Sequence, residues 1–130
     1  MTTKTKADRL TLRQVERSLG PASAWKGRCF EIASGVVAAG LVRGTAVYGH
    51  WLGPVHKRSI FHRGGKGPAV QHGWIVLEDD PRVLDPTRWA FEAKKPYLFL
   101  GAPGRFYDEG GNEWRRKRRG SSTPTSGATS

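Results

Sequence analysis

Residues 69–77, AVQHGWIVL, constrain the fold of this chain most, because β-branched and aromatic residues dominate them. Period-two alternation sets His72 on one face of the strand with Val70, Trp74 and Val76. Glu78-Asp79-Asp80-Pro81 reads as a turn, after which Arg82-Val83-Leu84-Asp85 begins a partner strand that Pro86 ends. Asp85 is then expected one strand along from His72.

The other segments build around this pair. Residues 6–18 place Leu10, Leu12 and Val15 among charged residues, which predicts a surface helix ended by Gly20-Pro21. A short loop leads to Trp25. From Cys29 the positions Ile32, Ala33, Val36, Val37 and Gly40 recur at helical spacing, so Cys29 falls at the first turn on the buried face. Gly35 is a poor helix former within this stretch, and Gly40 stops it. Residues 45–51, TAVYGHW, predict a strand, residues 53–68 a Gly-rich loop, and Tyr97-Leu98-Phe99-Leu100 another short strand. The expected fold class is α+β: a helix bearing the cysteine, packed on a small antiparallel sheet.

A chain of 130 residues is the size of one domain, and its hydrophobic content of 37% is enough for a modest core. We expect a single domain over residues 1–111, with its core about residues 25–103, and a basic, Ser/Thr/Gly-rich disordered tail over 112–130. The single cysteine excludes an intrachain disulfide framework and a Cys-rich zinc site, and suits a reducing compartment. No run approaches the roughly 20 apolar residues of a membrane helix. The stretch MTTKTKADRL lacks the apolar core of a secretory signal. A cytoplasmic location without membrane contact is the expectation, in the host's cytoplasm if the protein is viral.

Cys29, His72 and Asp85 follow one another in the order a cysteine-nucleophile enzyme needs. A thiol attacks as the thiolate, which a helix N-terminus and the neighbouring Arg28 favour. An imidazole takes the thiol proton and returns it to the leaving group, so His72 is the expected base. A carboxylate then fixes the tautomer and orientation of the imidazole. Asp85 suits that part better than Asp79 and Asp80, which lie in the turn. Each residue has a plainer reading as an inert core thiol, a satisfied core histidine or a turn former. Their joint order favours the triad.

The segments WKGRCFEIA (25–33), HGWIVL (72–77) and VLDPTR (83–88) resemble the motif regions of the transglutaminase-like branch of the papain-like cysteine enzymes. The likeness covers roughly residues 25–90 and extends to small bacterial and phage proteins. It implies Cys29 as nucleophile, His72 as base and Asp85 as orienter. Papain-type enzymes carry a glutamine oxyanion donor shortly before the cysteine, where this chain has Ser23, Ala24 and Trp25. Backbone N–H groups, with Trp25 and Trp74 shaping the pocket, are the expected substitute, and Gln14 is a distant alternative. The expected activity is amide chemistry through an acyl-enzyme on a protein, peptide or small amide substrate, as a peptidase, amidase or deamidase or by acyl transfer. It calls for no cofactor.

The net charge of +11 supports a competing reading as a nucleic-acid-binding accessory protein. Its residues are Lys57, Arg58, Arg63 and Lys66 in the basic loop and Arg115, Arg116, Lys117, Arg118 and Arg119 in the tail. Lys and Arg neutralise phosphates, and the five tryptophans offer stacking surfaces. Against it, no nucleic-acid-binding motif is present, and Trp74 and Trp89 are placed for packing. His50, His56, His62 and His72 form no metal-ligand pattern. A catalytically inactive triad fold used for binding is the remaining alternative.

Overall fold

The structure, a computed structural model, describes residues 4–62 and 70–109. It is α+β: among the described residues, a curled antiparallel sheet of five strands with four α-helices and a 3-10 turn at Ala22–Ala24. The strands β1 (Gly44–Trp51), β2 (Val70–Leu77), β3 (Val83–Asp85), β4 (Phe99–Gly101) and β5 (Tyr107–Asp108) lie in the order β4-β3-β2-β1-β5. The hairpin that the sequence predicts is β2–β3, in which Ile75 pairs with Leu84 and Val76 with Val83. The strand expected at 97–100 sits at Phe99–Gly101. β5 and a short helix at Trp89–Glu92 (α4) carried no signal strong enough to predict them.

The expected helix over 6–18 is two helices, α1 (Lys6–Arg9) and α2 (Leu12–Leu19). Thr11 causes the break: its side chain caps the Gln14 amide while Gln14 Oε1 returns to the Thr11 amide at 2.8 Å. A capping box of this kind starts a new helix rather than continuing the old one. Gly20, with φ +90°, closes α2 as expected. The cysteine helix α3 (Cys29–Ala38) ends just before Gly40, whose φ of +74° lets the chain turn away.

Two layers cover the sheet. Ile32, Ala33 and Val36 of α3 pack on one face, with Ile75, Leu77 and Leu84 beneath them and Val15, Trp25, Val42 and Trp89 closing the sides. Residues directly opposite in the β1–β2 register share a face, which places Trp51, His72 and Trp74 together on the other side. Phe91 and Tyr107 join them there in a layer of stacked and edge-on rings. β2 is thus a central strand buried on both faces over residues 72–75.

Candidate active site

The two histidine-side elements of the expected triad meet at the end of the hairpin. Nε2 of His72 lies 2.6 Å from Oδ2 of Asp85, and both side chains are buried. The fold brings them together because β3 stops at Asp85 before Pro86, leaving the carboxylate beside β2 and one residue past the last ladder pair. Asp85 is further satisfied by the Thr87 amide, which donates to Oδ1 at 3.0 Å, and by the Tyr107 hydroxyl, which donates to Oδ2 at 2.8 Å. The DPT sequence therefore serves a purpose beyond a turn: Thr87 holds the carboxylate from below.

Cys29 arrives from the helix layer. It is half-buried at the first position of α3, and the Gly73 amide donates to its Sγ at 3.2 Å. β3 pairs with β2 only at residues 75 and 76, so the edge of β2 at Gly73 is open to the helix. Gly73 makes the approach possible. A Cβ there would lie 2.6 Å from Phe30 Cα and 2.9 Å from Phe30 N, inside the backbone of the first helical turn. A glycine within a strand pattern signals such a close approach, and that signal in HGW is the one that sequence reading missed.

The electrostatics of His72 follow from these neighbours. Burial opposes a charged imidazole, but the charge and hydrogen bond of Asp85 outweigh it, and the Cys29 side chain acts in the same direction. Together they raise the proton affinity of His72 from the usual 6.5 to about 9. Nδ1 is buried and makes no hydrogen bond of ordinary geometry, while the thiol is close enough to act on the ring. The ring is walled by aromatics, with centroids at 4.8 Å for Phe91, 5.7 Å for Trp74 and 6.0 Å for Trp51.

Of the other expected site residues, Trp74 is at the site, and Trp25, Gln14 and Arg28 are turned to other partners. Trp74 lines the histidine and also packs on Tyr107 at 5.1 Å. Trp25 is fully buried in the helix-side core, its Nε1 donating to the Gly20 carbonyl at 3.1 Å. Gln14 is exposed and occupied in the capping box of α2. The Arg28 guanidinium turns to Glu31 at 2.7 Å rather than to the cysteine, and Arg28 provides no side-chain cap for α3. Of the proposed basic contacts, Lys57 and Arg58 are exposed. Arg63, Lys66 and Arg115 to Arg119 lie outside the described residues.

Among the described residues no group of three or more His, Cys, Asp or Glu could hold a metal ion. No helix among them is long and apolar enough to cross a membrane. A cavity of about 370 Å³ beside α1 and the β2–β3 turn is lined by none of the triad residues. Besides Asp79, its charged groups are already engaged, Arg43 with Glu78, Lys6 with the Gly40 carbonyl and Asp80 with Arg82. Searches with family models, curated proteins and solved structures find no match to this chain.

Proposed function

We propose that the protein performs thiol-dependent amide chemistry through Cys29, His72 and Asp85. The observation that carries this reading is the buried His72–Asp85 contact of 2.6 Å with the Cys29 thiol held beside it by the Gly73 amide. An unpartnered Nδ1 next to a thiol, with Nε2 fixed by a carboxylate, is the arrangement a nucleophile and its base require.

In the proposed reaction Cys29 Sγ gives its proton to Nδ1 of His72 and attacks the carbonyl carbon of an amide. The carbonyl electrons move onto oxygen, and the N–H groups of the uncapped first turn of α3, that of Cys29 first, are the donors for that oxyanion. Collapse breaks the C–N bond, His72 delivers its proton to the departing nitrogen, and a thioester remains on Cys29. Water, deprotonated by His72, then releases the acid and regenerates the thiol. An amine in place of water would give acyl transfer, so peptidase, amidase, deamidase and transfer activities share the first half. The raised proton affinity of His72 suits its part as the group that holds the proton for the departing nitrogen. The resemblance to the transglutaminase-like branch agrees with this reading, as does the α+β layout.

The test is acyl-enzyme formation with p-nitrophenyl acetate, followed by peptide amides and glutamine peptides. We expect an acetyl adduct on Cys29 that turns over in the wild type, is absent in Cys29→Ala and forms slowly in His72→Ala. Equal turnover by all three proteins would sink the proposal.

A second reading, nonspecific nucleic-acid binding, is favoured by the exposed Lys57 and Arg58 within a chain of net charge +11. It predicts salt-sensitive DNA or RNA binding. Loss of that binding on deletion of residues 112–130 would assign it to the tail alone.

A further inference from the structure

Asp85 Oδ2 accepts two hydrogen bonds, from His72 Nε2 at 2.6 Å and from the Tyr107 hydroxyl at 2.8 Å. Resting on the triad reading above, we propose that Tyr107 is a positioning residue that shares this carboxylate oxygen with His72. It thereby sets how much of the Asp85 charge the imidazole receives.

Several features fix Tyr107 for that part. Its backbone pairs with Trp51 at the edge of the sheet, and its ring packs on Trp51 at 5.2 Å and on Trp74 at 5.1 Å. Burial, then the neighbouring carboxylate, push its ionisation far above the usual range, so it stays a hydroxyl and a donor at every working pH. Arg88 stands beside the same hydroxyl and acts on it in the opposite sense. A guanidinium has donors and no acceptor, so it does not compete with Asp85 for the tyrosine proton. Arg88 is itself held by Glu92 at 3.2 Å and stacked over Phe99 at 4.0 Å. Glu92 in turn accepts from the Tyr97 hydroxyl at 2.5 Å. The titratable groups facing His72 are therefore Asp85 from β3, Cys29 from α3 and Tyr107 from β5, with Arg88 acting through Tyr107.

A hydroxyl that only fills space leaves His72 indifferent to its loss. A hydroxyl that takes up part of the Asp85 charge does not: removing it returns that charge to the imidazole. The experiment is NMR titration of ¹⁵N-histidine in the full chain carrying Cys29→Ser, with and without Tyr107→Phe. The His72 midpoint should move upward by about half a unit to one unit in the Phe variant. An unmoved or lowered midpoint overturns the proposal.

Uniform 3-fluorotyrosine labelling provides the opposite perturbation, since fluorine makes the hydroxyl a stronger donor, and here the midpoint should fall. Tyr48 and Tyr97, labelled at the same time, bond to Gln71 and Glu92 and not to Asp85. If the Phe variant does not fold, the fluorotyrosine protein decides alone, and no shift in it overturns the proposal. A shift without acyl-enzyme chemistry in the wild type would leave the Tyr107 effect standing and remove the catalytic reading. Acyl-enzyme turnover with an unmoved His72 would remove the Tyr107 proposal only.

Discussion

Nε2 of His72 approaches Oδ2 of Asp85 to 2.6 Å in a site closed to solvent by Trp51, Trp74, Phe91 and Tyr107. Taking either charge out of water alone would be costly, and each is offset by the other and by the hydroxyl and amide donors on the carboxylate. The pair is consequently both the electrostatic centre of the site and a contributor to stability that depends on pH.

The direction of that dependence follows from His72. Its proton affinity in the folded chain, about 9, exceeds the usual 6.5, so protonation favours the folded state. The contribution is fully present below about pH 6.5 and is lost as pH rises through 9. Its upper bound is on the order of 3 kcal/mol. Chemical denaturation at intervals from pH 6 to pH 10 should show stability falling across that window. The slope should flatten in Asp85→Asn, which removes the charge responsible, and a wild-type curve flat over the same range would contradict the assignment.

Gly73→Ala tests how α3 is seated. The added methyl meets the Phe30 backbone rather than a flexible side-chain end, so the first turn of the helix has to move away from β2. Overpacking of this kind should destabilise the fold by about 1–3 kcal/mol. It should also pull Sγ off the Gly73 amide and away from His72. The expected signature is a folded protein whose Cys29 reacts with iodoacetamide like an ordinary thiol. Wild-type stability together with wild-type reactivity would show that the close approach does not matter.

The aromatic wall can be tested at Phe91, which stacks on Trp51 at 4.9 Å and meets His72 edge-on at 4.8 Å. Phe91→Ala should cost about 3–5 kcal/mol by the cavity it leaves. It should also admit water to the imidazole, which relieves the burial that opposes its charge and screens the Asp85 charge that favours it. Since Asp85 outweighs burial in the intact site, the net change is back toward 6.5. Thermal denaturation and histidine NMR on the same sample separate the two effects. A large stability loss with an unmoved His72 would show that the wall packs the fold without tuning the site.

What sequence patterns reveal here is local. The β2–β3 hairpin and the start of α3 are visible because strand alternation, the turn at 78–81 and the apolar positions of 32–37 each lie within one short segment. Cys29, His72 and Asp85 become legible through those elements. The remaining parts depend on distant partners. Tyr107 is a two-residue strand at a sheet edge, and nothing near it in the chain signals a hydrogen bond to a residue 22 positions earlier. Phe91 and Trp51 are ordinary apolar residues until the sheet curls them around His72. Arg28 stands next to Cys29 in the sequence, but Glu31, one helical turn on, pairs with its guanidinium.

Alkylation of Cys29 by iodoacetamide as a function of pH reads the coupling of the thiol to its histidine directly. Where the imidazole can hold the proton that the sulfur gives up, the reactive thiolate persists to lower pH than in its absence. The wild type should therefore remain reactive at pH 6, and His72→Ala should lose reactivity there by about one order of magnitude or more while the two converge near pH 10. Asp85→Asn should fall between them, because the imidazole remains but its proton affinity is no longer supported by the carboxylate. Since Cys29 is the chain's single cysteine, the rate needs no site assignment. Superimposable profiles for all three proteins would mean that the thiol and the imidazole are neighbours without being partners.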